Sequence, residues 1–572
     1  MTSRERTSGV HGEPCRTTGA GDPRGRAAVC YDPDVQTRYD AVVAGGGLAG
    51  LTLARQLQRK APHVKVLVLE KRKHPVREAA FKVGESSVEI GAHYFRSVLG
   101  LEPVLREQHL EKLGLRYFFP HGANDDITRR TELGPPSFPV VPSFQLDRGR
   151  LENWLLASLR ESGVDVLDDC SVKRIDLRPG GLHTLEFVGP GGSGTVRTPW
   201  VADASGRTGL LRRQLGLKRE VTHGANAVWF RVNTRVKVDD WSDDAAWRSR
   251  VPTGERWMST NHLMGKGYWT WLIPLGSGST SIGIVADEAI HPFASMNRYE
   301  KAMDWLRTFE PQCARAIEAL PANALEDFLA LKHYAHGCAR VISADGWSMV
   351  GEAGVFTDPF YSPGSDFIAI GNDLTADLIV RAAAGEDIAA RAETFNTGYL
   401  RLYDAFLRLY DGQYRLMGNA QVMTAKAAWD NGCYWAISAL LYFQRRYTDP
   451  AFMASIDPLM RRFFVLHARM QQLFRAWDLA DRAQYADGFT NVTFMERLFA
   501  LQTALGGPRQ DDEALRRTLA ANLEFLERFA WAWQNLAGTT DPALARFVPR
   551  PTGEPVDISP LTFRTDRVAA RT

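Results

Sequence analysis

Tyr39-Asp40-Ala41-Val42-Val43-Ala44-Gly45-Gly46-Gly47-Leu48-Ala49-Gly50 is an apolar run that stops abruptly at glycine, and it decides how the rest of the chain is read. The run has the character of a buried strand. Leu48, Leu51, Leu53, Ala54 and Leu57 then fall mostly on one face of a helix, and Val64 to Leu69 forms a second apolar run, giving a β-α-β unit. Gly45, Gly47 and Gly50 satisfy G-x-G-x-x-G at the strand–helix junction. The first glycine permits the tight turn, the second lets backbone approach a pyrophosphate, and the third lets helix and strand pack closely. The helix start offers unpaired N–H groups and a partial positive charge to phosphates. Glu70 closes the second strand 20 residues after Gly50, where a carboxylate can accept hydrogen bonds from a ribose diol. The unit is therefore read as a dinucleotide site, with Leu48, Ala49 and Lys71 among its contacts.

Around this unit the composition is that of a globular protein, with 45% hydrophobic and 24% charged residues, which excludes collagen-like and wholly disordered classes. A net charge of +3 without a basic stripe gives no reason to expect nucleic acid. Cys15, Cys30, Cys170, Cys313, Cys338 and Cys433 contain no C-x-x-C pair, so neither a metal site nor a dithiol centre is expected, and free thiols in a cytoplasmic protein are. Residues 1–37 lack the apolar core of a secretory signal and read as a disordered leader. The longest apolar runs, such as 436–443, are too short to span a bilayer. Helical spacing recurs at 85–99 and 148–163, alternating strands at 164–203 and about 226–286, and a nearly all-helical pattern from about 365 onward. Trp429, Trp435, Phe463, Phe464, Phe474, Trp477, Trp531 and Trp533 are expected to pack among those helices, and His93, His121, His333 and His336 to be structural. The expected class is α/β: a Rossmann-like dinucleotide-binding fold with an interleaved antiparallel sheet substrate domain and a helical C-terminal region. The expected boundaries are 38–385 for the dinucleotide-binding module, with a strand-rich substrate subdomain at about 105–145 and 220–335, and 386–572 for the helices and a disordered tail.

Asp203-Ala204-Ser205-Gly206-Arg207 and Val350-Gly351-Glu352-Ala353-Gly354, the latter followed by Asp358-Pro359, resemble the second and third flavin contacts of the large family of aromatic hydroxylases and halogenases. That resemblance selects FAD over NAD. It implies that Glu352 meets the ribityl chain, that the helix start beyond Asp358 faces the flavin pyrimidine edge through Gly364 and Ser365, and that Arg148, after Asp147, lies near the adenosine side.

Trp269-Thr270-Trp271-Leu272-Ile273-Pro274 matches the W-x-W-x-I-P signature of flavin-dependent halogenases, in which the indoles screen the flavin from the organic substrate. Val83-Gly84-Glu85-Ser86-Ser87 resembles that family's flavin-covering strap, and Glu111-Lys112-Leu113-Gly114-Leu115-Arg116-Tyr117-Phe118 resembles the stretch bearing its essential lysine, which the match puts at Lys112 in preference to Lys82. The chemistry implied is a flavin hydroperoxide, attack by chloride or bromide, and a hypohalous acid held by the lysine ammonium. Tyr361, Ser362 and Pro363 stand at the family's halide turn. Pro363 has no N–H to offer a halide, leaving Gly364, Ser365 and the Ser362 hydroxyl as donors. Tyr361 stands where tryptophan-specific members carry a glutamate, which points to phenols or carrier-bound aromatic acyl groups instead of free tryptophan.

The resemblance thus implies an FADH2-dependent halogenase of natural-product biosynthesis. It would use O2 and chloride or bromide, take reduced flavin from a separate flavin reductase, and act on a small aromatic, free or on an acyl carrier protein, with no nucleic-acid or membrane partner. An aromatic hydroxylase or dehydrogenase of the same fold, which Pro363 favours, is the alternative, and a non-catalytic flavin-binding partner a further one.

Overall fold

A computed structural model describes residues 37–79 and 83–563. The expected leader apart from Thr37, Lys82, and the tail beyond Phe563 lie outside the described residues. Six strands form the nucleotide sheet, in the order Ile342–Ser343, Trp347–Met349, Val201–Asp203, Ala41–Ala44, Val66–Leu69, Asp165–Leu167. All neighbours run parallel except the first pair. Ala41–Ala44 and Val66–Leu69 are buried at every position, as parallel strands covered on both faces must be. The helix Leu48–Lys60 lays Leu48, Leu51, Leu53, Ala54 and Leu57 into the core and packs on Arg148–Glu161 and Gly364–Ala383.

The second sheet has eight strands, ordered Leu325–Leu331, Ala225–Val232, Thr280–Asp287, Tyr268–Pro274, Thr260–Gly265, Leu115–Phe118, Glu132–Leu133, Phe489–Thr490. Side chains alternate along a strand. In Tyr268–Pro274 this sends Tyr268 and Leu272 to an outer apolar cluster covered by the helices Tyr299–Phe309 and Pro311–Glu318. Trp269, Trp271 and Ile273 point the other way, into the core shared with the nucleotide sheet. The W-x-W-x-I spacing is therefore the inner face of one strand.

The helices Gly364–Ala383, Ala389–Leu407, Ala420–Cys433, Asp457–Ala480, Glu496–Ala504 and Asp512–Thr540 dominate the C-terminal region. Their Trp429, Trp477 and Trp533 belong to the same continuous core as the nucleotide sheet. This region also supplies an edge strand, Phe489–Thr490, to the second sheet, which the helical pattern had hidden. Among the described residues no helix is long and apolar enough to cross a membrane. Cys170, Cys313, Cys338 and Cys433 are free and buried.

Candidate active site

Three segments converge where the two sheets meet: the strap Gly84–Val88, the inner face of Tyr268–Pro274, and the turn from Asp358 into the helix Gly364–Ala383. They divide the interior into two spaces. One is a narrow cleft of about 100 Å³, reached by Leu48 at the start of the nucleotide helix and lined by the strap residues Gly84, Glu85 and Ser86. Trp269 and Trp271 form its wall, with Arg148 and Glu352 at one side and Ser362, Gly364 and Ser365 at the other. The second space, about 740 Å³, is bounded by Glu89, Tyr361, Pro363 and Asp366 and completed by the C-terminal helices through Tyr410, Asp430 and Phe463.

The strap is held from both ends. Gly84 has φ +87°, and a Cβ there would lie 2.8 Å from Arg148 Nη1. That nitrogen donates to the carbonyls of Val83 (2.6 Å) and Gly84 (3.3 Å). Glu85 accepts from Arg231 Nε at 2.8 Å, and Arg231 also donates to Asp327 at 2.7 Å, all three side chains being buried. Burial raises the Glu85 carboxyl above its usual range, and Arg231 opposes that rise.

Lys112 is fully buried, and its Nζ donates to Ser86 Oγ (2.8 Å) and the Ser87 carbonyl (2.9 Å). Ser86 lines the narrow cleft, whereas Glu89 and Asp366, which act electrostatically on the ammonium, line the large cavity. The lysine itself lines neither space, and its partners, facing one or the other, put it in the partition between them. Burial brings its pKa down to about 7, so amine and ammonium are both populated near neutrality. Asp366 accepts from the Gly91 amide and the Tyr434 hydroxyl, each at 2.8 Å, and burial pushes it up to about 7. His262, also on the narrow cleft, is driven down to about 3 by burial and stacks on Tyr117.

The turn is strained: Tyr361 (φ +65°) and Ser362 (φ +58°) are consecutive non-glycine residues in the left-handed region, a conformation costing about 1–2 kcal/mol each. It is fastened by Asp358, whose carboxylate accepts from the Phe360 amide (2.8 Å), Tyr334 (2.6 Å) and Tyr414 (2.7 Å) and pairs with His223 (2.5 Å). Tyr414 in turn accepts from the Trp269 indole at 3.0 Å, which ties the turn to the aromatic wall. Pro363 is the N-cap of the following helix. The next two amides, of Gly364 and Ser365, have no acceptor among the described residues, and neither does the buried Ser365 hydroxyl.

These features fit FAD. A Cβ on Gly45 would come within 2.3 Å of the Ala204 carbonyl and one on Gly50 within 1.9 Å of the Gly45 carbonyl, while Gly47 is open, so the turn leaves bare backbone for a pyrophosphate. Glu70 already curls toward that turn, its Oε2 accepting from the Gly46 amide at 2.6 Å. Arg148 Nε and Ser365 Oγ are buried without partners, as donors awaiting a ligand would be.

Comparison with known proteins agrees. Residues 43–107 match the model for an NAD(P)-binding Rossmann-like domain. The flavin-dependent halogenase chlA of Dictyostelium discoideum is 28% identical over 457 residues, 74% of this chain and 73% of its own length. The 1H-pyrrole-2-carbonyl-[peptidyl-carrier protein] chlorinase of Pseudomonas fluorescens is 24% identical, over 64% of this chain and 80% of its own. These relatives support a flavin-dependent halogenase. Halogenase PltM, solved with phloroglucinol and FAD, superposes on this halogenase with a TM-score of 0.62, covering 89% of it and 98% of PltM, and at 15% identity it speaks for the fold alone. The curated relatives favour the halogenase reading over the hydroxylase or dehydrogenase alternative.

Several expected site residues lie elsewhere in the halogenase. Asp358 does not line the cleft, because its carboxylate is consumed by His223, Tyr334 and Tyr414. Asp203 is spent on its own turn, accepting from the Ser205 (2.9 Å) and Leu211 (2.7 Å) amides. Pro274 ends its strand opposite Thr280, away from both spaces, and Lys71 is exposed. Ala49 uses its carbonyl to accept from Asn372 at 3.1 Å. Tyr361 and Pro363 border the large cavity, not the cleft. His262, Glu89, Tyr410 and Asp430 were missed, and as isolated residues far apart in the chain they carry no sequence signal.

Proposed function

We propose that this halogenase installs chlorine or bromine on an electron-rich aromatic precursor, phenolic or carrier-bound, with reduced FAD delivered by a separate flavin reductase in the cytoplasm. The observation that carries this reading is Lys112, buried in the partition between cleft and cavity. Bound reduced FAD, with O2 and halide, supplies hypohalous acid. The groups that would hold FAD are the Gly45–Gly50 turn and Glu70 at the nucleotide end, with Arg148, Glu352 and the Gly364 and Ser365 amides around the cleft. Ser362 and the two helix-start amides offer donors to a halide despite Pro363. The indoles of Trp269 and Trp271 exclude water and substrate from the cleft. Lys112, with both protonation states available near neutrality, hydrogen-bonds hypohalous acid from the cleft and presents its halogen to a ring in the large cavity.

Two features support a substrate other than free tryptophan. Tyr361 occupies the turn position facing the cavity, and a phenol or pyrrole supplies its own heteroatom to push the substitution. Among relatives, a chlorinase and a brominase of carrier-bound pyrrole carbonyl groups offer a precedent for the carrier-bound form. Incubation with FAD, a flavin reductase, NADH, chloride or bromide and a panel of phenols tests the reading by mass spectrometry. A product with a chlorine or bromine isotope pattern is expected; hydroxylated, dehydrogenated or unchanged material overturns it.

A further inference from the structure

The large cavity is mostly apolar, but next to the partition it carries one polar pole that the lysine chemistry does not use. Tyr361 Oη donates to Asp430 Oδ2 at 3.1 Å across a turn–helix contact. Asp430 is buried and held by Lys426 Nζ (2.7 Å) and Gln471 Nε2 (2.8 Å), and Lys426 also donates to Gln471 Oε1 (2.7 Å). This carboxylate is therefore fixed in position and compensated in charge without any ligand. Beside it stands Tyr410, whose ring centroid is 6.3 Å from that of Tyr361. Its hydroxyl is fully buried, borders the cavity, and has no partner among the described residues. An unpaired buried hydroxyl costs about 1–3 kcal/mol unless something occupies it, and the strained φ of Tyr361 is what turns that residue to this pole.

We propose that Tyr361, Tyr410 and Asp430 form a receptor for a free ring hydroxyl, with Tyr361 relaying the phenolic proton to Asp430 as the ring is halogenated. This rests on the halogenase reading above and narrows its substrate to aromatics that carry an unmasked phenol. Tyr361 Oη accepts from the substrate hydroxyl while donating its own proton to Asp430, and Tyr410 donates to the substrate oxygen. As the ring carbon–halogen bond forms, the oxygen–halogen bond of hypohalous acid breaks and its oxygen leaves as water, with a proton from Lys112. The ring is then a dienone. Loss of the proton from the halogenated carbon, which restores Lys112 through solvent, and return of the Asp430 proton through Tyr361 regenerate the phenol. The net change is ArH plus HOX to ArX plus water. Halogen enters ortho or para to the hydroxyl, the positions onto which the oxygen delivers electron density. Tyr361 and Tyr410 touch substrate in this scheme, whereas Asp430 acts through Tyr361.

The test compares phenols with their O-methyl ethers, phloroglucinol and 1,3,5-trimethoxybenzene among them, on the FAD-loaded protein supplied with reductase and halide. Both members of each pair react with hypohalous acid in solution, and the phenol-to-ether ratio measured there without protein is the baseline against which the ratio on the protein is read. The parent is expected to prefer the phenol roughly a hundredfold in kcat/KM, within the range of general-base catalysis, and to bind it more tightly by equilibrium titration. Tyr361→Phe should collapse that preference, chiefly in kcat, and Tyr410→Phe should weaken it, chiefly in KM. Asp430→Asn should reproduce Tyr361→Phe if it folds; the two tyrosine variants, which leave the Asp430–Lys426–Gln471 cluster intact, decide the matter if it does not. A merely structural role would lower phenol and ether together. Undiminished discrimination in both tyrosine variants overturns the receptor while the halogenase reading stands. A parent that halogenates neither the phenol nor the ether of any pair overturns the halogenase reading and the receptor with it.

Discussion

Replacing Lys112 with methionine should abolish aromatic halogenation and yet stabilise the protein at neutral pH. Burial holds Lys112 at about 7, against an ordinary value of 10.5. At 1.36 kcal/mol per pH unit, the charged form in the folded state is disfavoured by about 5 kcal/mol. Against this, methionine forfeits the donations to Ser86 Oγ and the Ser87 carbonyl, together worth about 3 kcal/mol once the carbonyl is left unpaired. Ser86 keeps a second partner in Thr260 at 2.9 Å. The net gain is about 2 kcal/mol at pH 7, or about 2 °C in Tm at ~2.1 cal/mol/K per residue. The sign depends on pH. Between the folded value of about 7 and the unfolded 10.5, unfolding takes up a proton, so the parent gains stability as pH rises and loses it as pH falls toward 7. The methionine variant gains nothing over that interval, and the two curves should cross near about pH 8. Calorimetry of the FAD-saturated proteins on either side of that crossing checks this. A variant less stable than the parent at neutral pH, or a difference independent of pH, would refute the buried-ammonium argument.

Three other substitutions probe the surrounding structure. Gly50→Ala places a Cβ 1.9 Å from the Gly45 carbonyl and 3.0 Å from Val43 Cγ1; FAD affinity, read by fluorescence titration, should fall roughly a hundredfold, about 3 kcal/mol, and undiminished binding would contradict the cradle. Arg231→Met leaves the buried carboxylates of Glu85 and Asp327 uncompensated and should cost about 3–5 kcal/mol, seen as a lower Tm and weaker FAD retention; an unchanged Tm would dismiss the strap anchor. Pro363→Thr adds an N–H beside the free amides of Gly364 and Ser365 and should lower the halide concentration for half-maximal rate by about tenfold, the worth of one good hydrogen bond; an unchanged requirement would mean the existing donors suffice.

What the sequence revealed, it revealed through local periodicity. The Gly45–Gly50 turn and its flanking strands are legible because tight-turn sterics and parallel-strand burial act within a dozen residues. Trp269, Trp271 and Ile273 are legible because an alternating strand puts them on one face. Lys112 was singled out through a neighbouring pattern, but its surroundings depend on Ser86 and Ser87, 26 and 25 residues away. The anchoring of Asp358 was not legible in the sequence because its partners His223, Tyr334 and Tyr414 come from three distant segments. Asp430 escaped notice for the same reason: within its helix it is an ordinary i,i+4 partner of Lys426, and only the long return of the chain to Tyr361 places it at the cavity wall. The π-helical turns Tyr94–Val98 and Tyr434–Ala439, which adjust adjoining helices, leave no compositional mark either.

Whether Lys112 hands the oxidant across the partition is decided by following two products together in the parent and Lys112→Ala: halogenated phenol, and hypohalous acid escaping to a diketone trap in solution. With the lysine removed, FAD should remain bound and be reoxidised as before, the trap should fill, and aromatic product should fall by roughly a thousandfold, within the span of proton-transfer catalysis. Aromatic product formed at the parental rate would contradict the assignment of Lys112 and, with it, the passage from cleft to cavity.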